Sequence, residues 1–321
     1  MLLVLQLVII CQASAQIIYV RQGGTGNGTS WSNATGNLNA ALQQASEGTQ
    51  IWVAKGTYLP TENSDRKISF EVPNGVQVFG GFAGNETSLA LRQPEVNLTI
   101  LSGEIGEPGI ADNSYSIVIM DKVNGNTILD GFSITAGNAN SDVQEINRTR
   151  CGGGLYIKGE NGAANPIIKN CVFTGNMGRD GAAVYNNGRN GECNPTFINC
   201  TFSNNEAGLD GGAMYNDGRM NGKSNPTLSN CLFERNMGTY GGAICNATES
   251  GSCNLTLENC TFRENAAYLR GGAVFSMNGD QKCFTEISDC NFVNNYPDDQ
   301  NMVFTSTQGR HDAFDIKRSE P

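Results

Sequence analysis

The sequence predicts an all-β fold, a parallel β-helix solenoid with a short N-terminal capping α-helix. Three observations predict it: two short motifs repeat in one phase, the apolar runs are too short for helices, and an amphipathic segment precedes the repeats. The chain has 321 residues, of which 40 are glycine and 39% are hydrophobic. A disordered chain carries far fewer apolar residues, so we expect a packed core.

The first motif is a glycine pair, or a close variant of one, followed by small and apolar residues. Its first glycines are separated by 29, 30, 30 and 30 residues, at Gly152, Gly181, Gly211, Gly241 and Gly271. The second motif, Cys-x-Phe-x-x-Asn, keeps the same phase at 171–176, 200–205, 231–236, 260–265 and 290–295. Internal repeats of this length are typical of solenoids.

Short strands fill each repeat better than helices do. Gly, Asn, Asp and Pro occur every few residues between the motifs, and glycine and proline interrupt helices. Apolar runs such as 213–215 and 232–233 suit strands of about three to five residues. Successive repeats would then pair in register, strand on strand, at about 4.8 Å.

This register stacks like residues on like. Three apolar columns are predicted to fill the core: Phe173, Phe202, Phe233, Phe262 and Phe292; Ile168, Phe197, Leu228, Leu257 and Ile287; Leu155, Val184, Met214, Ile244 and Val274. Two asparagine columns are predicted to form buried ladders at turns: Asn170, Asn199, Asn230, Asn259 and Asp289; Asn176, Asn205, Asn236, Asn265 and Asn295. The paired glycines are expected where the turn needs a positive φ or where a side chain would collide with the neighbouring coil.

The chain divides into four predicted segments. In residues 1–15 an apolar run precedes Ala13-Ser14-Ala15, which is typical of a secretory signal peptide cut after Ala15. Residues 16–140 form an N-terminal cap and irregular coils, in which the apolar positions of 37–45 predict a helix that covers the solenoid end. Residues 141–300 hold the regular repeats, and 301–321 form a tail.

Few residues suggest catalysis or metal binding. The single histidine, His311, stands in the tail and excludes a histidine-based triad or multi-histidine metal site in the core. Of the eleven cysteines, most fall in columns and are predicted to be buried filler. A disulfide between Cys253 and Cys283 is the alternative, since adjacent coils would bring them close.

Five residues are candidates for a ligand groove. Asp180 and Asp210 precede the glycine pair in adjacent repeats, where two carboxylates could share a proton or a cation. No cofactor is predicted, with Ca²⁺ left open. Tyr156, Tyr185 and Tyr215 form a column whose rings would suit sugars if they point outward.

The two phased motifs resemble the repeat of chlamydial polymorphic outer membrane proteins. The pattern is also similar to that of secreted bacterial proteins of the pectate-lyase-like superfamily, with "VFGGFAGNETSL" and "ILDGFSITAGNA" resembling their leading section. This resemblance implies a right-handed parallel β-helix that is secreted or displayed on the cell surface. It implies little about chemistry, because such repeats occur in adhesins and in polysaccharide enzymes.

The predicted function is therefore non-catalytic adhesion or binding, with a polysaccharide or a host or cell-surface protein as partner, by a monomer. The alternative is a polysaccharide lyase, hydrolase or epimerase acting on uronate-containing glycans through the loops of 60–150, near Asp142, Glu145, Arg148 and Arg150. A purely architectural role is a third alternative. A net charge of −10 excludes a nucleic-acid binder, and no apolar run is long enough to span a membrane.

Overall fold

The protein is described by a computed structural model that covers residues 16–278 and 283–297. The predicted signal peptide, and the predicted tail with His311, lie outside the described residues. Parallel strands wind into a solenoid, and each coil contributes one strand to each of several sheets. The all-β prediction is confirmed.

Three long sheets form the faces of the solenoid. Sheet I has nine strands: Ile17–Val20, Gln50–Ala54, Gln77–Phe82, Ile128–Asp130, Ile167–Lys169, Thr196–Ile198, Thr227–Ser229, Cys253–Glu258 and Cys283–Ser288. Sheet II has eight: Gly56–Tyr58, Thr99–Ser102, Ser133–Thr135, Val172–Thr174, Thr201–Ser203, Leu232–Glu234, Thr261–Arg263 and Asn291–Val293. Sheet III has seven: Phe70–Glu71, Val118–Asp121, Leu155–Lys158, Val184–Asn187, Met214–Asp217, Ile244–Thr248 and Val274–Asn278.

Two smaller sheets lie at the bends between these faces. Sheet IV follows sheet II in each coil, with five strands: Asn138–Ala139, Met177–Gly178, Glu206–Ala207, Met237–Tyr240 and Ala266–Arg270. Sheet V lies between sheets III and I, with three strands: Ala163–Ala164, Glu192–Cys193 and Lys223–Ser224. In most coils sheets I and II meet at a sharp corner of one or two residues, such as Asn170-Cys171, whereas residues 83–98 form a long loop between Gln77–Phe82 and Thr99–Ser102.

The predicted capping helix is present at Leu38–Gln44. Asn37 caps it, because its side-chain oxygen accepts a 2.9 Å hydrogen bond from the backbone N–H of Ala40. The apolar face is buried and packs against the first strands of sheets I and III. Two 3₁₀ turns, Trp31–Asn33 and Leu89–Leu91, lie in the loops. Among the described residues, no helix is long and apolar enough to cross a bilayer.

The core consists of stacked side chains in register, as predicted. Phe202 pairs with Phe173 on one side and Phe233 on the other. The ring centroids of this column lie 4.5–5.1 Å apart and the rings are nearly parallel. The columns that contain Ile168 and Leu155 also keep their predicted register.

The two asparagine columns differ. The column from Asn176 to Asn295 is buried and forms the predicted ladder inside the solenoid. The prediction of a buried ladder was wrong for the column from Asn170 to Asp289, because these side chains are exposed at the corner between sheets I and II. That corner requires a left-handed backbone, with φ of 48–55°, and Asn and Asp adopt this conformation more easily than other side chains do.

The glycine prediction is confirmed at the first glycine of each pair. Gly181, for example, has a φ of 56°, and a Cβ at this position would overlap with the carbonyl oxygen of Val184. Both constraints exclude a side chain.

The described cysteines are free thiols, and all but Cys290 are buried. Cys253 and Cys283 are register partners, but no disulfide joins them in the part of the chain described. Burial raises the pKa of the Cys171 thiol to about 12, so this thiol is unreactive at neutral pH. The structure agrees with the prediction of buried filler.

Candidate functional site

The predicted tyrosine column lies on the outer side of sheet III. Tyr156, Tyr185 and Tyr215 stack with ring centroids 5.5 and 5.3 Å apart. They are nevertheless only 4%, 0% and 2% exposed, because other side chains cover them, including the guanidinium of Arg219, 5.8 Å from the ring centre of Tyr215. The rings do not line an open groove, and sugar binding by them stays a prediction.

A buried carboxylate that sequence reasoning missed holds this layer together. Asp217 is fully buried and accepts a 2.5 Å hydrogen bond from the hydroxyl of Tyr185. Arg219 binds both of its oxygens, at 2.7 and 2.8 Å, and Arg189 lies 3.9 Å away. The side chains of both arginines therefore face Asp217.

Asp180 and Asp210 lie beside this layer and are brought together, as their phase predicts. The backbone N–H of Asp210 is 3.4 Å from a carboxylate oxygen of Asp180, and Arg179 pairs with the same carboxylate. Burial raises the pKa of Asp180. Burial and then the charge of Asp180 raise the pKa of Asp210 to about 6. Between residues 16 and 297, where described, no three His, Cys, Asp or Glu side chains converge to hold a metal.

The charged loop that was the enzyme candidate is braced by its own arginines. Arg148 forms a 2.9 Å ion pair with Glu71. Arg150 donates to the carbonyl oxygens of Val143 and Gln144 at 2.7 and 2.6 Å. The structure therefore gives both arginines a structural partner, while Asp142 and Glu145 are exposed.

A second candidate site, which sequence reasoning missed, lies where loop 83–98 stands over the outer face of sheet II. We call it the corner groove. Its volume is about 940 Å³. It is lined by Leu89, Ala90, Arg92, Pro94, Glu95, Leu98, Thr99, Gly131, Phe132, Ser133, Asn170, Val172, Asn199 and Thr201.

The loop is fixed in place by a close backbone contact and by one arginine. Gly81 has a φ of 90°, and a Cβ there would lie 2.7 Å from Pro94, so only glycine allows this approach. Arg92 forms a 2.6 Å ion pair with Asp130 and donates to the carbonyl oxygens of Asp130 and Gly80 at 3.2 and 3.3 Å. The wall of the groove is thereby tied to the solenoid.

Exposed amides form one edge of the groove floor. Asn170 donates to Asp130 at 2.7 Å, and Asn199 donates to Asn170 at 3.2 Å. The same column continues beyond the groove, where Asn259 donates to Asn230 at 2.6 Å. We call this exposed column the amide ladder. Each amide has more donors and acceptors than these bonds use, so the remainder faces solvent or a ligand.

The groove combines an apolar wall with neutral polar groups. Leu89, Pro94 and Leu98 supply the wall, and Leu98 is 57% exposed. Thr201 and Ser133 add hydroxyls to the floor. Ligand pockets typically pair apolar surface with a few placed polar groups. The lining contains one carboxylate, that of Glu95, and no Cys, His or Lys.

Comparison with models of known protein families identifies the family of the chain. A family model described as "Right handed beta helix region" matches residues 106–311, more than half of the chain. The chain belongs to the right-handed β-helix family. The handedness implied by the resemblance is thus confirmed for this β-helix protein, while the likeness to the chlamydial repeat stays an expectation.

Several solved structures share the architecture at low identity. Pectate lyase Pel9A is 12% identical with a TM-score of 0.46, covering 91% of this chain and 78% of its own. A pectin methylesterase from Aspergillus niger is 12% identical with a TM-score of 0.44 and covers 93% of both chains. The carrot pectin methylesterase is 11% identical with a TM-score of 0.43, covering 90% and 88%. No curated protein sequence matches the chain.

Proposed function

We propose that this β-helix protein is an extracellular, non-catalytic binding protein for extended glycans. The observation that carries the proposal is the corner groove, in which an apolar wall faces an exposed amide ladder. Apolar sugar faces pack on apolar surface, and sugar hydroxyls bond to groups that both donate and accept.

The direction of the ladder supports a polymeric ligand. Its amides belong to successive coils, so they succeed one another along the solenoid axis at about the strand spacing of 4.8 Å. A repeating row of identical groups can contact a repeating chain at several places at once. Many weak contacts then add to useful affinity, since each hydrogen bond contributes only about 0.5–1.5 kcal/mol.

A polysaccharide hydrolase or lyase is the second candidate, and a specific observation favours it. Asp210 is half-buried next to Asp180, and its pKa is raised to about 6. Glycoside hydrolases use paired carboxyls, and a carboxyl that titrates near neutrality suits proton transfer. This pair lies near sheet III and not in the corner groove.

One experiment separates the two candidates. The exported protein is applied to a glycan array that includes uronate polymers, and the bound glycans are then analysed for cleavage products by chromatography. Binding without products supports the proposal. Products that disappear in Asp210→Asn support the enzyme, and a protein that binds no glycan overturns the proposal.

Variants connect the binding to the groove. Arg92→Gln releases loop 83–98 and is expected to weaken binding at least about tenfold, because several wall contacts are lost together. Arg148→Gln breaks an exposed ion pair elsewhere and serves as the control. Equal binding by both variants would place the glycan site outside the corner groove.

N-terminal sequencing of the exported protein tests the predicted secretion. Cleavage after Ala15 would leave Gln16 as the first residue.

A further inference from the structure

We infer that the corner groove selects neutral glycan chains and rejects uronate chains. This inference rests on the proposed function and adds the class of ligand. It also departs from the uronate polymers that sequence reasoning kept as alternative substrates.

The first argument is the charge of the lining. Its residues include two charged side chains, Arg92 and Glu95. The side chain of Arg92 is 13% exposed, and its guanidinium already binds the carboxylate of Asp130 at 2.6 Å. It also donates to two backbone carbonyls. A ligand carboxylate would therefore find no uncommitted cation, and it would face the carboxylate of Glu95.

The second argument is the path beyond the groove. On sheet II and in the turns that directly follow its strands, the arginines are paired with glutamates: Arg263 with Glu234 at 2.9 Å, and Arg235 with Glu264 at 2.7 Å. Lys169 lies on sheet I, and its register partners in the two adjacent coils, Asp130 and Ile198, are not cations. Along the described strands of sheet II, a chain with one carboxylate per sugar would therefore meet no series of free cations at the coil spacing.

The third argument is the chemistry of the ladder. An amide offers donors and an acceptor, and a sugar hydroxyl requires both. A carboxylate accepts only, so it leaves amide acceptors unmatched and loses its own hydration. Placing a charge against neutral groups without a partner is unfavourable.

The experiment uses matched oligosaccharides. Soluble hexasaccharides of a neutral hexose and of the corresponding uronic acid are titrated into the protein by calorimetry. The neutral chain is expected to bind at least about tenfold more tightly, which corresponds to one poorly satisfied polar group. High salt should leave the neutral affinity unchanged, because no ion pair forms.

Substitutions reverse or remove the selection. Thr201→Lys places a cation on the groove floor, and uronate affinity should rise by about tenfold or more and become salt-sensitive. Thr227→Lys places the same charge on sheet I, outside the lining, as the control.

Asn199→Gly removes one amide of the amide ladder from a position with a φ of 54°, which glycine adopts freely. Neutral binding should fall about three- to tenfold, whereas Asn161→Gly, with a φ of 55° at another turn, should leave it unchanged.

The outcomes are distinguishable. Uronate binding equal to or tighter than neutral binding overturns the inference and leaves the proposed glycan function standing. If neither class binds and no glycan on the array does, the inference and the proposed function fail together.

Discussion

The side-chain amide of Asn236 donates a 2.9 Å hydrogen bond to the carbonyl oxygen of Phe202, in the preceding coil. Asn236 also donates to the side-chain oxygen of Asn265 and accepts from the backbone and the amide of Asn205. All of these groups are buried. Three consecutive coils are therefore joined through one side chain that water does not reach.

Asn236→Asp should destabilise the protein by about 3 kcal/mol or more at pH 7. The substitution replaces two donors by a buried, unpaired charge. Chemical unfolding in urea, followed by circular dichroism, measures this free energy. Asn230→Asp is the control, since Asn230 is exposed and the same column has an aspartate at Asp289. A similar loss in both variants would show that the buried ladder is not what stabilises the coils.

Asp217→Asn should cost about 3–5 kcal/mol, the usual result of breaking a buried ion pair from one side. Arg219 would keep its charge beside the stacked tyrosines without a counterion. The control is Asp121→Asn, whose exposed pair with Lys158, at 3.6 Å, should contribute less than about 1 kcal/mol. Equal urea midpoints for the two variants would contradict this role of Asp217.

The stability of the protein should fall as the pH rises from about 4 to 6. Because the pKa of Asp210 is raised to about 6 by folding, the native state holds a proton that the unfolded chain releases near its ordinary pKa of about 4. This proton contributes stability that is fully present below the pKa of the unfolded chain and is lost as the pH rises through the pKa of the folded state. Melting temperatures from pH 4 to 8 measure it, and Asp210→Asn should give a flatter profile. An unchanged slope in this variant would assign the effect to another group.

Phe202→Ala should destabilise the solenoid by about 3–5 kcal/mol. The ring is fully buried between Phe173 and Phe233, so truncation leaves a cavity between two rings. Thr227→Ala, on the outer face of sheet I, should change the free energy of unfolding by less than about 0.5 kcal/mol. Urea unfolding compares the two, and a loss below about 1 kcal/mol for Phe202→Ala would argue against a tightly packed column.

Gly81→Ala should displace loop 83–98 and weaken the glycan binding that we propose for the corner groove. A Cβ at Gly81 would lie 2.7 Å from Pro94, so overpacking adds about 1–3 kcal/mol to the 1–2 kcal/mol of a left-handed backbone. Gly23→Ala isolates the backbone effect, because Gly23 has a φ of 72° and open space around it. Calorimetric titration with the glycan that the wild type binds should show a loss for Gly81→Ala alone.

The solenoid could be predicted because its constraints are periodic. A residue such as Phe202 pairs with the equivalent residues 29 positions earlier and 31 positions later. Each stacked column could therefore be predicted from the spacing of the repeats alone. The positive φ of Gly181 follows from the same repetition. The exposure of Asn199 could not be predicted in this way. The phase shows which residues stack on one another, but it does not show whether their side chains point into the core or into solvent.

Both candidate sites depend on contacts between segments that do not repeat. The repeat phase predicted the tyrosine column. It did not predict that Arg219, held by the buried carboxylate of Asp217, covers the tyrosine rings. The corner groove depends on Arg92, which reaches across 38 residues to Asp130, and on the fit of Gly81 against Pro94. No periodic signal marks either pair, so only coordinates could reveal them.

The constant phase of the coils makes the molecule extensible. Loss of residues 211–240 would join Asp210 to the next glycine pair, at Gly241, and every remaining column would close again in register. Such a deletion shortens the solenoid along its axis by one strand spacing, about 4.8 Å, and removes one asparagine from the amide ladder. Duplication or loss of one repeat would thus lengthen or shorten the exposed amide ladder while leaving the geometry of each remaining coil unchanged.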